Sequence, residues 1–299
     1  MAQCAFIIVT AVLYTAKHIK AYRGHMKKID LTKGNITKTM ILFALPMILG
    51  NLLQQLYNIA DTLIVGRFLG AGALAAVGSA YALMTFLTSV LLGLCMGSGA
   101  VFSICWGGKN TEKLKSAIFT SFVLTAVLTV ILNAAVFLFI DEILSLLNVP
   151  SEIYQLMRDY VQVIFWGIGF VFLYNFFAAL LRAVGNSVVP LLFLAVCAVL
   201  NVILDLYFVL GLGLGVKGAA AATVISQAAS GAGIGIYTWA VYPDFRPNRR
   251  NCRIEAGLLK EMAQFSVLTS VQQSVMNLGI LMVQGLVNSF GTSVMAAFA

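Results

Sequence analysis

Acidic side chains are scarce in this sequence: eleven aspartates and glutamates among 299 residues, with all charged residues together making up 10%. A water-soluble domain carries about 25%, so a charge-covered globule is excluded. Histidine is scarcer still. His18 and His25 both precede the first long apolar stretch and stand in no catalytic constellation. The five cysteines (Cys4, Cys95, Cys105, Cys197, Cys252) form no Cys-x-x-Cys pair and have no histidine at metal-ligand spacing. Cys95, Cys105 and Cys197 fall within apolar stretches or at their ends, where a thiol behaves as a small hydrophobe. With neither a nucleophile–base pair nor a metal set, no enzyme reading survives, and no cofactor is expected.

Apolar residues are abundant instead, at 61% of the chain with a mean hydropathy of +0.95. Nine of the eleven acids lie in or beside short polar breaks, and between the breaks run charge-free stretches: Thr39–Ala60, Phe68–Gly108, Ser116–Ile140, Tyr160–Leu181, Ala183–Leu204, Gly218–Pro243 and Met262–Ala299. A membrane-spanning helix needs about 20 apolar residues, whereas a buried strand of a soluble α/β protein needs only about 4–8. The expected fold is therefore an all-α polytopic membrane protein. Its spans fall at 39–66, 74–105, 116–140, 155–181, 187–211, 217–241 and 262–290.

A net charge of +8 suggests nucleic acid in a soluble protein; here its placement says otherwise. Sixteen of the nineteen lysines and arginines precede the first span or follow the second, fourth and sixth, leaving Arg67, Arg158 and Lys217 for the other side. That asymmetry places the start of the first span in the cytoplasm of a cell-membrane protein. Trp106, Trp239 and Tyr242 end spans on the same basic side, as an interfacial belt predicts.

Met1–Ala16 is apolar but short for a span, with no basic region before it. Met26 is expected to be the natural start, making 1–25 an extension without function. Beyond it the sequence repeats: Lys38–Phe43 resembles Lys260–Phe265, and Gly70–Ala76 resembles Gly291–Ala297. Residues 26–253 then form one six-helix lobe, and 254–299 begin a second with its first helix. Parallel repeats of this kind are a transporter architecture. The chain is expected to be truncated there, and inactive alone because a cavity between two lobes needs both.

Only Asp61 and Asp205 fall inside apolar spans. A carboxylate in hydrocarbon costs about 2.5–3.5 kcal/mol on insertion scales, so each must meet a cavity, a partner or an ion. Arg67 is turned away from the Asp61 face, whereas Asn201 lies one turn before Asp205 on the same face. The plainer alternatives are that Asp61 is interfacial and that Asp205 caps a kink before Gly211. Tyr174 and Asn175 are candidates to line a cavity. Gly93/Gly97 and Gly231/Gly235 have the spacing that lets helices approach closely. Pro46 removes one backbone hydrogen bond from the first span and permits a bend.

The runs Asn58-Ile-Ala-Asp-Thr-Leu-Ile-Val-Gly66, Leu181-Arg-Ala-Val-Gly-Asn186, Asn201-Val-Ile-Leu-Asp205 and Gly218-Ala-Ala-Ala-Ala-Thr223, with Pro46 ahead of them, resemble multidrug and toxic compound extrusion (MATE) transporters. The resemblance implies two six-helix lobes about a central cavity. It also implies efflux of organic, often cationic, small molecules against protons or sodium, by a monomer in membrane lipid with no nucleic-acid partner. It further implies that Asp61, Asn201, Asp205 and Thr223 form one cation- or proton-binding cluster. Two carboxylates, an amide and a hydroxyl suit a sodium ion, and paired carboxyl groups suit a proton; the reading leans to protons. Met262–Ala299 holds no acid, so a coupling carboxylate that some relatives carry on the seventh helix is missing here. A lipid or lipid-linked-sugar flippase of related architecture is the alternative, though its cationic cavity is not evident in the charge pattern.

Overall fold

The computed structural model describes residues 36–246, 248, 254 and 256–299. The expectations about the 1–25 extension, the Met26 start, His18, His25, Cys4, Cys252 and the basic residues before Lys38 lie outside the described residues, as do those about Arg249, Arg250 and Arg253. Every element among the described residues is helical. In chain order they are α1 (Ile36–Leu69), α2 (Ala71–Gly107), α3 (Thr111–Leu138), α4 (Ile140–Leu146), α5 (Ser151–Trp166), α6 (Ile168–Ala183), α7 (Val188–Asp205), α8 (Gly215–Val241), α9 (Ala256–Asn288) and α10 (Thr292–Phe298). Six helical runs are long and apolar enough to cross a membrane singly, and α5 with α6, bent by 48° where they meet, is together long and apolar enough for a seventh. The chain is an all-α, multi-pass membrane protein.

The bend in the fourth span has a local cause. Gly167 separates α5 from α6, and the side chain of Val224 on α8 occupies the space where a β-carbon would stand. The expected boundaries otherwise differ from the observed helices by a few residues, because helices run on past the apolar window into polar ends. Asn110 caps α3, its side-chain oxygen accepting from the Lys113 amide at 3.0 Å. Ahead of α7 the Asn186 side-chain oxygen accepts from the Val189 amide at 3.2 Å, beside Gly185 at φ 83°.

Charge pairs identify the two ends of the bundle. Lys113 and Glu261 pair at 2.7 Å where α3 and α9 begin, on the basic-rich end. Arg158 pairs with Asp141 at 2.7 Å and Lys217 with Asp159 at 3.1 Å at the opposite, sparse end. Tyr242 is no belt residue. It is buried, stacked on Phe245, and its hydroxyl accepts from the Asn186 amide at 3.2 Å, which fastens the end of α8 to the start of α7. Trp239 is exposed, as a belt residue would be.

The seventh span, α9, lies antiparallel along α2. Gly93 and Gly97 carry no side chain where Ser270 and Ser266 cross them, and a β-carbon at either glycine would collide with the serine backbone. Ser270 Oγ donates to Val90 O at 3.1 Å, and Ser266 Oγ to Leu94 O at 3.3 Å. Near the sparse end Ser79 Oγ donates to Asn288 Oδ1 at 2.9 Å, and Asn288 Nδ2 to Leu147 O at 2.9 Å. In a bilayer such polar contacts and close approaches replace the hydrophobic driving force between helices. The repeat also has a backbone counterpart: Gly70 after α1 and Gly291 after α9 adopt φ/ψ of 86/179° and 89/172°. Only glycine takes that conformation readily.

Candidate functional site

Two apolar cores fill the lobe, one toward each end. Between them α1, α7 and α8 bring four polar side chains together. Asp61 is 8% exposed, Asn201 1%, Asp205 0% and Thr223 7%. Asn201 Nδ2 donates to Thr223 Oγ1 at 3.2 Å, joining α7 to α8. The Asp61 and Asp205 carboxyl groups lie within reach of each other across α1 and α7. Asp61 is therefore buried inside the helical bundle.

The oxygens of this cluster are undersupplied with donors. Asp61 Oδ1, Asn201 Oδ1 and both carboxylate oxygens of Asp205 are buried with no hydrogen-bond partner, four of the eight such side-chain atoms among the described residues. A buried acceptor left unpaired costs about 1–3 kcal/mol, and a charged one more. No described ion pair involves either aspartate, so no basic side chain offsets the cost. The donor set is oxygen only, the chemistry of a hard cation, and two facing carboxyl groups can equally share a proton. A cation of either kind satisfies what the protein leaves open.

Immediately after Asp205 the fifth span widens into a π-helical turn, Leu206–Gly211. Such turns occur frequently at functional sites. The alternative of a cap before Gly211 thus located an irregularity correctly but not its kind. Sequence reasoning missed two tyrosines. Tyr57 stands one turn before Asp61, and the buried Tyr160 on α5 lies beside Asp61, Asp205 and Tyr57. The spacing of Tyr57 was available as a signal; nothing local marks Tyr160.

A cavity of about 220 Å³ opens on the basic-end side of the cluster, and Tyr57, Tyr81, Tyr174, Asn175, Cys197 and Gln227 are among its lining residues. The Tyr174 hydroxyl donates to Pro190 O at 3.1 Å and Asn175 Nδ2 to Val171 O at 2.8 Å, so both rest on the helices that frame the cavity. A second, more open cavity of about 850 Å³ lies between α1, α2 and α9, with Arg67 and Gln284 in its wall. Asn58 and Tyr81 line both cavities, and Asn58 Nδ2 donates to the Tyr81 hydroxyl at 3.5 Å. Pro46 lies in α1, three residues beyond Phe43, whose carbonyl accepts from Ser187 Oγ at 3.0 Å. Its missing N–H leaves the Leu42 carbonyl without the usual helical donor. Gly231 and Gly235 face the Phe170 carbonyl and the Phe177 ring, a close helix contact rather than a cavity wall.

Comparison with known proteins identifies the family. The MatE family model matches residues 46–207. The chain is 32% identical over 280 residues to the probable multidrug resistance protein YpnP of Bacillus subtilis (strain 168), covering 91% of this chain and 61% of that protein. It is 30% identical over 274 residues to the probable multidrug resistance protein YoeA of the same organism, covering 89% and 59%. Among solved structures, a multidrug resistance MATE family transporter of the MOP superfamily in its outward-facing conformation superimposes with a TM-score of 0.78 at 25% identity, over 85% of this chain and 56% of that one. The chain spans about three-fifths of the length of the curated relatives it matches.

Proposed function

The chain belongs to the MatE family, and from that premise we propose that it serves as a secondary active efflux transporter, exchanging organic, often cationic, compounds for protons or sodium. The observation that carries this reading is the set of four unpartnered oxygens on Asp61, Asn201 and Asp205, sealed from water in the membrane interior. In this reading Asp61, Asn201, Asp205 and Thr223 take the coupling ion. Tyr174 and Asn175 line the path of the organic substrate, and Pro46 lets α1 bend as the cluster loads and empties. Cation and substrate favour opposite-facing states, and movement between lobes links the two.

The names of the two relatives, multidrug resistance proteins, support foreign organic molecules as the cargo. Residues 26–253 act as one lobe and 254–299 as the beginning of another, the whole being a monomer in membrane lipid. The basic-rich end faces the cytoplasm of a cell membrane, as the charge asymmetry supports.

The test is sodium binding and proton uptake by the purified chain in detergent, which need only the lobe that holds the cluster. Asp61→Asn and Asp205→Asn leave a folded, monodisperse protein and abolish whichever of the two the parent shows. Parent-like uptake or binding in both variants, or neither in the parent, rejects the assignment.

A further inference from the structure

The cation cluster and the 220 Å³ cavity are neighbours, yet none of Asp61, Asn201, Asp205 and Thr223 lines that cavity. What stands between them is a single layer with a regular origin. Tyr57 lies four residues before Asp61 on α1, Cys197 four before Asn201 on α7, and Gln227 four after Thr223 on α8. Residues four apart share a helix face, one turn removed. α1 and α7 run from the basic end toward the sparse end, and α8 runs back. All three displacements therefore point toward the basic end, and Tyr57, Cys197 and Gln227 sit at one level beneath the cluster.

All three line the cavity, with the Gln227 side chain near the Tyr57 hydroxyl. Both are therefore in a position to meet a molecule in the cavity from one side and the cation cluster from the other. We propose that Tyr57 and Gln227 form a coupling layer that closes the cation cluster off from the cavity. A substrate that hydrogen-bonds to either side chain, as an aromatic molecule bearing amine or carbonyl groups does, parts the pair and opens the cluster to the cavity. A loaded cluster, conversely, holds the layer shut. The inference rests on the cation-site reading above and adds the residues through which substrate and cation sense each other. They act as positioning residues, not as ligands of the ion.

Cys197, a free and buried thiol in the same layer, is a built-in reporter of whether the layer is closed. The titratable groups beside it are Tyr57 on α1 and Tyr174 on α6; beyond Tyr57 stand Asp61 on the same helix, Tyr81 on α2 and Tyr160 on α5, with Asp205 on α7 beside Tyr160.

The experiment measures alkylation of Cys197 by N-ethylmaleimide in the chain carrying Cys4→Ser, Cys95→Ala, Cys105→Ala and Cys252→Ser. Each rate is divided by that of free cysteine under the same conditions. Adding sodium, or lowering pH, is expected to slow Cys197 at least about threefold in this parent. Tyr57→Phe and Gln227→Leu are each expected to react faster than the parent and to lose the cation dependence. Parent-like rates and parent-like cation dependence in both variants overturn the proposal, as does a parent whose rate ignores sodium and pH alike. Asp205→Asn separates the two readings. If cation protection survives that change, the cation-site reading has failed; if it vanishes there but persists in Tyr57→Phe and Gln227→Leu, the coupling layer alone has failed.

Discussion

Asn201 gives its amide hydrogen to the hydroxyl of Thr223, 3.2 Å away on the next helix, and keeps its own carbonyl oxygen unpaired. The bond aims that oxygen: with the nitrogen fixed on α8, the amide presents its acceptor to the interior rather than a donor that would repel a cation. Thr223→Val removes the acceptor and strands a buried N–H, which costs about 1–3 kcal/mol. The expected outcome is a lower unfolding temperature in detergent together with weaker sodium or proton binding. Thr223→Ser keeps the hydroxyl and preserves both. Equal loss in the serine and valine variants would mean that the threonine methyl, not its oxygen, matters.

Glycines on the packed helices divide into two classes that predict opposite outcomes. Gly93 and Gly97 leave no room at the crossing with Ser270 and Ser266, whereas Gly279 on α9 has nothing within 4 Å of a β-carbon position. Gly97→Val is expected to destabilise the α2–α9 contact by about 1–3 kcal/mol or more, as overpacking does. Gly279→Ala is expected to be neutral or to stabilise by about 0.5–1 kcal/mol through helix entropy. Thermal unfolding of the two variants side by side decides this, and a tolerated Gly97→Val would show that the helices do not cross as described.

At the sparse end, the Arg158 guanidinium and the Tyr154 hydroxyl near the start of α5 hydrogen-bond Asp141, which lies outside the spans on α4, and hold its carboxyl below the ordinary carboxylate range. A depressed folded-state value means that the contact stabilises fully above the unfolded carboxylate's range and is lost as pH falls through the folded value. Unfolding temperature measured against pH should therefore drop on the acid side, and Asp141→Asn should flatten that limb by lowering the neutral-pH value toward the acid one. An unchanged acid limb in Asp141→Asn would show that this pair contributes nothing measurable, as exposed pairs often do.

The spans were legible because hydrocarbon forbids charge so strongly that eleven acids and nineteen bases suffice to mark the breaks. Asp61 and Asp205 were legible for the same reason, since a carboxylate within an apolar run has to be explained. The bend at Gly167 was not, because it depends on Val224, a residue 57 positions later in the chain pressing into the gap. Tyr160 was hidden likewise: on its own helix it is an ordinary apolar-face tyrosine, and only the meeting of α5 with α1 and α7 gives it neighbours. Tyr242 misled because a tyrosine at a span end has two uses, facing lipid headgroups or pinning a loop, and sequence position does not separate them.

The π-helical turn that begins at Leu206 changes the phase of the fifth span. A wider turn accommodates one more residue than an α-helical one, and one residue of α-helix is about 100° of rotation. Positions 206–211 therefore belong to a different angular frame from 188–205, and a helical wheel drawn straight through Asp205 assigns them to the wrong sides. Spectroscopic labels meant to face lipid, and alignments that count in regular turns, need that offset built in before they are read.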